Sequence, residues 1–442
     1  MQIIKNSLKA LLICLCIIQI TYAKPIKITF WHSMAGQLGV VVNRIVAQFN
    51  QSQSEYQVVP IYKGNYPQTL TSTVAAFRAG QQPDMVQIFE VGTATMVNPP
   101  GAIVPVYKIM QQAGIDFPET QFIPAIGSYY SNAKGQLLAM PFNSSTPVMY
   151  LNDAAFKRAR LNPNKPPKTW PELKRAALTL LRSGQKCGFT TGWPSWIQLE
   201  AFSAWQNVPF ATADNGFAGL NARLIYNNPI VIRHITALKN WEQQKIFVYG
   251  GRQDNAQALF TSGKCPILME SSGSRADLIG QLPFHVSVAA IPYDPTVKDA
   301  PQNMLIGGGA IWVMSRHNPQ IYAGVAKFLQ FLASAKIQLQ WSKATGYLPV
   351  TKSGYALAKQ SGYYRKNPGA EVAIKELMLK PPTNNSRGIR LGGYSQIRVI
   401  NNEALEAILS KQKTVKQGLQ DAITHGNFIL RQFQENVEVS KK

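Results

Sequence analysis

Arg398 stands between apolar neighbours in Gln396-Ile397-Arg398-Val399-Ile400, in a chain whose 45 lysines and arginines are otherwise scattered. A guanidinium keeps its charge when buried and offers a bidentate fork to phosphate oxygens. Arg398 therefore reads either as an anion-recognition group or as one more surface cation. Ser271-Ser272-Gly273-Ser274 precedes a helical pattern at Arg275-Ala276-Asp277-Leu278-Ile279. Small residues at a helix start turn backbone N–H groups toward an anion, and they also make an ordinary N-cap. Trp193 and Trp196 are three residues apart, which suits two walls of a pocket or two core residues on one helical face. Nothing here assembles into catalysis. The five histidines (His32, His234, His285, His317 and His425) are dispersed, whereas metal-dependent phosphodiester chemistry wants clustered His, Asp and Glu. No Gly-x-Ser-x-Gly elbow, His-Glu-x-x-His or phosphate-cradling loop is present. The reading assigns no catalytic residue, no metal and no cofactor.

The elements that must position these residues alternate. Ile26-Lys27-Ile28-Thr29-Phe30 alternates as a strand, and Leu38, Val41, Val42, Ile45 and Phe49 follow helical spacing. Tyr56 to Tyr62 reads as a second strand, Thr69 to Arg78 as a helix and Met85 to Phe89 as a third strand. Strand, helix and strand in turn predict an α/β domain with a mainly parallel sheet. Val148 to Leu151 is strand-like. Thr169 and Glu172 form a capping box, opening a helix that Gly184 closes; Asn228-Pro229 opens another. The last hundred or so residues look largely helical. The longest non-periodic stretches, near 139–147 and 291–303, are rich in Pro, Asn, Asp and Ser, as expected of crossings between two lobes.

Lys5 and Lys9 followed by the apolar run Ala10 to Ile20 and by Thr21-Tyr22-Ala23 read as a cleavable export signal at 1–23. The run is well short of the ~20 residues that span a bilayer. Apolar residues make up 45% of the chain, enough for a sizeable core and two or three domains. Export leaves Cys187 and Cys265, which form one disulfide or remain two buried thiols. The formal charge of +23 favours anionic partners, but the absence of basic runs and the export signal argue against nucleic acid.

Longer strings carry a resemblance. Phe30-Trp31-His32-Ser33-Met34, Tyr62-Lys63-Gly64-Asn65-Tyr66, Glu90-Val91-Gly92-Thr93-Ala94-Thr95-Met96, Pro141-Phe142-Asn143-Ser144-Ser145-Thr146-Pro147, Trp196-Ile197-Gln198-Leu199-Glu200, Ala300-Pro301-Gln302-Asn303, Thr345-Gly346-Tyr347-Leu348-Pro349 and Gln396 to Ile400 occur in order along the chain. Together they resemble the periplasmic sn-glycerol-3-phosphate-binding proteins of ABC importers. These belong to the extracellular solute-binding proteins, which include the maltose-binding protein. The resemblance implies a two-lobed α/β fold of the periplasmic binding protein type (class II), with ligand in a cleft between lobes. It places the N-terminal lobe at 24–142 and 293–350, and the C-terminal lobe at 143–292 and 351–442. It implies a small phosphate ester as ligand, glycerol 3-phosphate or a glycerophosphodiester such as glycerophosphocholine. As partners it implies inner-membrane permease subunits with a separate ATPase.

The resemblance also selects residues. Tyr66, Glu90, Ser145, Ser271, Gly308, Tyr347 and Arg398 are the implied ligand set, with Trp193 and Trp196 as further cleft residues. In that reading Arg398 forks the phosphate, and its replacement by alanine removes affinity while leaving the fold intact. Tyr66, Tyr347 and Ser145 add hydroxyl donors. Gly308 lets backbone approach the ligand, or is a bulge within a strand. Glu90 is expected at the opposite end from Arg398, accepting from glycerol hydroxyls, because a carboxylate repels phosphate. The tryptophans pack on the ligand and meet the quaternary ammonium of a choline diester. Pro99-Pro100-Gly101, Gly393-Tyr394-Ser395 and a third glycine at Gly309 depart from the family pattern. A receptor for a neutral sugar or oligosaccharide is the alternative; its cleft would carry several carboxylates, where the implied set has one.

Overall fold

The computed structural model describes residues 24–440; the export signal and its cut after Ala23 lie outside the described residues. The strands are β1 (Ile26–His32), β2 (Tyr56–Tyr62), β3 (Met85–Phe89), β4 (Met140–Ser145), β5 (Pro147–Asn152), β6 (Thr190–Thr191), β7 (Ile267–Ser271), β8 (Val286–Ala290) and β9 (Gly307–Val313). They form two sheets, β2-β1-β3-β9-β4 and β6-β7-β5-β8.

Local sequence explains the start of the first sheet. Apolar Ile28 and Phe30 of β1 are buried in one core with Val42, Ile45, Val46 and Phe49 of the helix Gly36–Ser52. Burying each such side chain contributes about 1.5–3 kcal/mol. That helix and Tyr66–Arg78 are the crossovers that parallel pairing of β1 with β2 and β3 requires. The other half of the sheet departs from the mainly parallel expectation. β9 runs antiparallel to both β3 and β4, because it enters from the second sheet rather than from a crossover helix.

The stretch 139–147, read as a loop, is strand on both sides of a single residue. β4 ends at Ser145 in the first sheet and β5 begins at Pro147 in the second, with Thr146 between them. Its polar side chains hid the strand, which is held by backbone pairing of Asn143, Ser144 and Ser145 with Gly309, Gly308 and Gly307. The chain returns through residues 291–306, between β8 and β9. Buried Glu376 accepts from Thr146 Oγ1 (3.0 Å) in the first connection and from the Ile291 N–H (3.0 Å) in the second. One side chain thus ties both connections together.

The helix Trp170–Arg182 opens on the capping box as read: Thr169 Oγ1 accepts from the Glu172 N–H, and Glu172 accepts from the Thr169 N–H. Pro229–Gln243 is likewise capped by Asn228. Cys187 and Cys265 are joined in a disulfide. From Pro319 onward the chain is largely helical, with one long non-helical stretch at 378–393. Among the described residues no helix is long and apolar enough to cross a membrane.

Candidate ligand-binding cleft

Tyr66 is the first residue of its helix, set by a capping box in which Asn65 accepts from the Gln68 N–H and Gln68 from the Asn65 N–H. Its ring stacks on Phe89 at 5.2 Å. Its hydroxyl accepts from Asn143 Nδ2 at 2.7 Å. The orientation of that amide is determined from the backbone outward. The Ser33 N–H donates to Gln87 Oε1, so Gln87 Nε2 must donate to Asn143 Oδ1, leaving Nδ2 for Tyr66. The phenol's own proton is therefore not spent on Asn143. Tyr347 lies beside it, stacked on Trp341 at 5.8 Å. Burial raises both phenols above their ordinary value, so both are O–H donors.

Ser271 ends β7. Its Oγ accepts from the Gly273 N–H (3.1 Å), which leaves the hydroxyl proton free. Its backbone is held on both sides: the N–H donates to Glu270 Oε1 at 2.7 Å, and the carbonyl accepts from Tyr150 Oη at 2.9 Å. The helix expected after it is a single turn, Arg275–Leu278. Its dipole is correspondingly small, so the anion-binding helix start of the sequence reading is corrected to a hydroxyl held at a strand end. Gly273 is required here because a Cβ would lie 2.6 Å from the Tyr347 ring. Ser145 reaches the cleft from the end of β4, opposite Gly307. Gly308 has φ +94°, and a Cβ there would lie 1.6 Å from the Asn143 carbonyl oxygen. The glycine thus answers first to the β4–β9 pairing.

Arg398 lies on Tyr394–Leu409, a helix packed against Pro229–Gln243 and Val415–Ser440. Its Nε and Nη2 bind Glu200 bidentately at 2.9 and 2.7 Å, and Nη2 also meets Glu90 Oε1 at 2.6 Å. Glu90 follows β3 of the first sheet, whereas Glu200 sits on the π-helix Trp196–Ala201 beside the second. The triad spans the cleft. This corrects two expectations. Glu90 does not face Arg398 from the far end but is paired with it, because a buried guanidinium recruits the nearest carboxylates. Arg398 is also not removable without consequence, since two buried carboxylates would lose their counter-ion. Burial alone would lower its pKa, but Glu200 and Glu90 outweigh that and hold it well above the ordinary arginine value. Burial, together with the charge of Glu200, raises Glu90 despite Arg398.

Trp193 has φ +44° and donates its N–H to the Gln253 carbonyl at 2.6 Å. It therefore precedes the helical stretch instead of sharing a helical face with Trp196. Trp196 is 5% exposed and lies against Gly307, where a Cβ would meet its ring at 2.4 Å.

All nine residues selected in the sequence line one cleft of about 360 Å³. Asp254, Asp277, Gln253 and Gln257 line it as well. With Glu90 they bring the lining carboxylates to three, so the small carboxylate count expected to separate a phosphate site from a sugar site does not hold. Asp277 lies in the segment read as a helix start and Asp254 in a stretch that carries no reading, and no local pattern marked either. Glu200 was visible only as part of the string that carried the resemblance. Among the described residues no cluster of His, Cys, Asp and Glu could hold a metal ion.

Residues 44–371 match the family model for bacterial extracellular solute-binding proteins. The chain belongs to that family. It is 45% identical over 434 residues to the sn-glycerol-3-phosphate-binding periplasmic protein UgpB of Yersinia enterocolitica, covering 97% of this chain and 99% of the relative. It is 47% identical to UgpB of Escherichia coli K12 over 412 residues, 93% of this chain and 94% of that one. Among solved structures, UgpB of Mycobacterium tuberculosis in complex with glycerophosphocholine superposes with a TM-score of 0.77 at 22% identity, covering 93% of this chain and 99% of that one. A cyclic α-maltosyl-1,6-maltose binding protein from Arthrobacter globiformis gives 0.72 at 20% identity, covering 92% and 100%. The fold is the two-lobed solute-binding architecture that the resemblance implied.

Proposed function

We propose that this protein is the periplasmic receptor of an ABC importer, capturing sn-glycerol 3-phosphate and glycerophosphodiesters such as glycerophosphocholine. The observation that carries the reading is the convergence of the Tyr66, Tyr347, Ser145 and Ser271 hydroxyls in one cleft, in a chain whose nearly full-length relatives are glycerol-3-phosphate-binding proteins. Such neutral donors hold a phosphate by hydrogen bonds that strengthen when water is excluded. Arg398, already paired with two carboxylates, is better suited to glycerol: its guanidinium donates to hydroxyl oxygens while Glu90 accepts from their protons. Trp193 beside Asp254 and Asp277 supplies an aromatic face and negative charge for a cationic head group.

Lobes at 24–142 with 293–350 and at 143–292 with 351–442 close over the ligand by bending at the two connections that Glu376 joins. The closed form is presented to membrane permease subunits powered by a separate ATPase. The protein works in the periplasm, performs no catalysis and has no nucleic-acid partner. A neutral-sugar receptor is the second reading, favoured by the three lining carboxylates and the tryptophans. Calorimetric titration of the refolded protein with glycerol 3-phosphate, glycerophosphocholine and maltose separates the two. Binding of either phosphate ester without maltose supports the first; binding of maltose alone overturns it.

A further inference from the structure

Arg398 is the one lysine, arginine or histidine among the described residues that lines the cleft. Its charge is not free. Glu200 holds it through two nitrogens and Glu90 through one, so the cluster of one guanidinium and two carboxylates carries a net negative charge when both acids are ionised. Glu200 itself is 2% exposed and does not line the cleft. Its Oε1 also accepts from Ser195 Oγ at 3.0 Å, and Ser195 Oγ accepts in turn from Asn401 Nδ2, one helical turn from Arg398. Tyr226 Oη donates to Asn401 Oδ1 at 2.6 Å. The carboxylate is thus built into the wall behind Arg398. Neither carboxylate touches Nη1, which remains the nitrogen available to the cleft.

We propose that Glu200 is a positioning and specificity-determining residue: it clamps Arg398 and cancels its charge, so that this end of the cleft takes hydroxyls and rejects an anion. The inference rests on the reading that the glycerol end of the ligand meets Arg398. Without Glu200 the guanidinium would attract whichever anionic group of a ligand reached it first, and a phosphate could bind in either orientation. With Glu200 in place, an anion at this end would face two carboxylates across one guanidinium in a site largely closed to water, where like charges repel strongly. The device selects against molecules that carry a phosphate at one end and a carboxylate at the other, a chemistry differing from glycerol 3-phosphate only in the oxidation of its terminal CH2OH.

L-3-phosphoglycerate is that molecule at the matching configuration, and calorimetry with it and sn-glycerol 3-phosphate tests the proposal. Wild-type protein is expected to prefer glycerol 3-phosphate at least about 100-fold, and Glu200→Gln to narrow that preference about tenfold or more. A role confined to holding the fold would weaken both ligands by one factor and leave the ratio unchanged, which overturns the proposal. A wild-type preference below about tenfold overturns it without any variant, so the test does not depend on Glu200→Gln folding. Failure of wild type to bind glycerol 3-phosphate at all is a different result: it rejects the phosphate-ester reading, and this inference with it.

Discussion

Replacing Arg398 with alanine should do more than weaken ligand binding. It removes the counter-ion shared by Glu90 and Glu200, whose oxygens lie 2.6 and 2.7 Å from Nη2. At an effective dielectric of 20 a unit pair about 4 Å apart is worth about 4 kcal/mol before desolvation, and truncating one partner of a buried pair costs about 3–5 kcal/mol. With a urea slope of about 3 kcal/mol/M, the unfolding midpoint at pH 7 should fall by about 1 M. The pH dependence identifies the cause. In the variant Glu90, already raised by burial, lacks its cation, so its folded-state pKa rises further above the ordinary carboxylate range. A carboxylate raised on folding contributes stability at low pH that is lost as pH rises through its folded value. The stability gap between wild type and Arg398→Ala should therefore narrow from pH 7 to pH 5. Buried acids common to both proteins cancel in that difference. Urea melts at the two pH values decide the matter: a variant as stable as wild type at pH 7, or a gap independent of pH, would refute the charge triad. Adding Glu200→Gln to Arg398→Ala should recover part of the loss.

Glu270 is fully buried and its pKa is raised to about 8, chiefly by burial, with the Ser271 N–H opposing and the charge of Asp254 adding. The folded state thus holds a proton that the unfolded chain releases near pH 4.5, and stability falls as pH rises from about 4.5 to 8. Glu270→Gln should gain on wild type across that window by up to about 5 kcal/mol; thermal melts showing a constant difference would exclude this. Gly308→Ala meets both a left-handed φ and the Asn143 carbonyl oxygen, and should cost 3 kcal/mol or more, on the order expected for backbone strain plus a clash. A melting temperature equal to wild type would contradict the β4–β9 geometry. Trp193→Ala should weaken glycerophosphocholine about tenfold more than glycerol 3-phosphate, since only the diester presents a cation to the ring. Equal losses in parallel titrations would remove Trp193 from head-group recognition.

Much of this protein is legible in one dimension. Apolar spacing placed the helix Gly36–Ser52 and the strands around it, and side-chain caps marked Trp170–Arg182 and Pro229–Gln243. These are local effects, set by residues within a turn or two of one another, and so they are written in the sequence. The long strings shared with glycerol-3-phosphate-binding proteins nominated nine cleft residues, and all nine line one cleft. What the chain order could not disclose is how groups far apart in sequence neutralise one another. Arg398 and Glu90 are 308 positions apart, and Arg398 and Glu200 are 198. Only the meeting of a strand end, a π-helix and a C-terminal helix makes them a triad. The same holds for β4, whose polar residues carry no strand pattern and are ordered by backbone pairing with three glycines. The sequence determined which elements form and which residues are chemically suited to the site. Tertiary structure alone decided which charges meet at the cleft, because Coulomb energy depends on distance in space and not on distance along the chain.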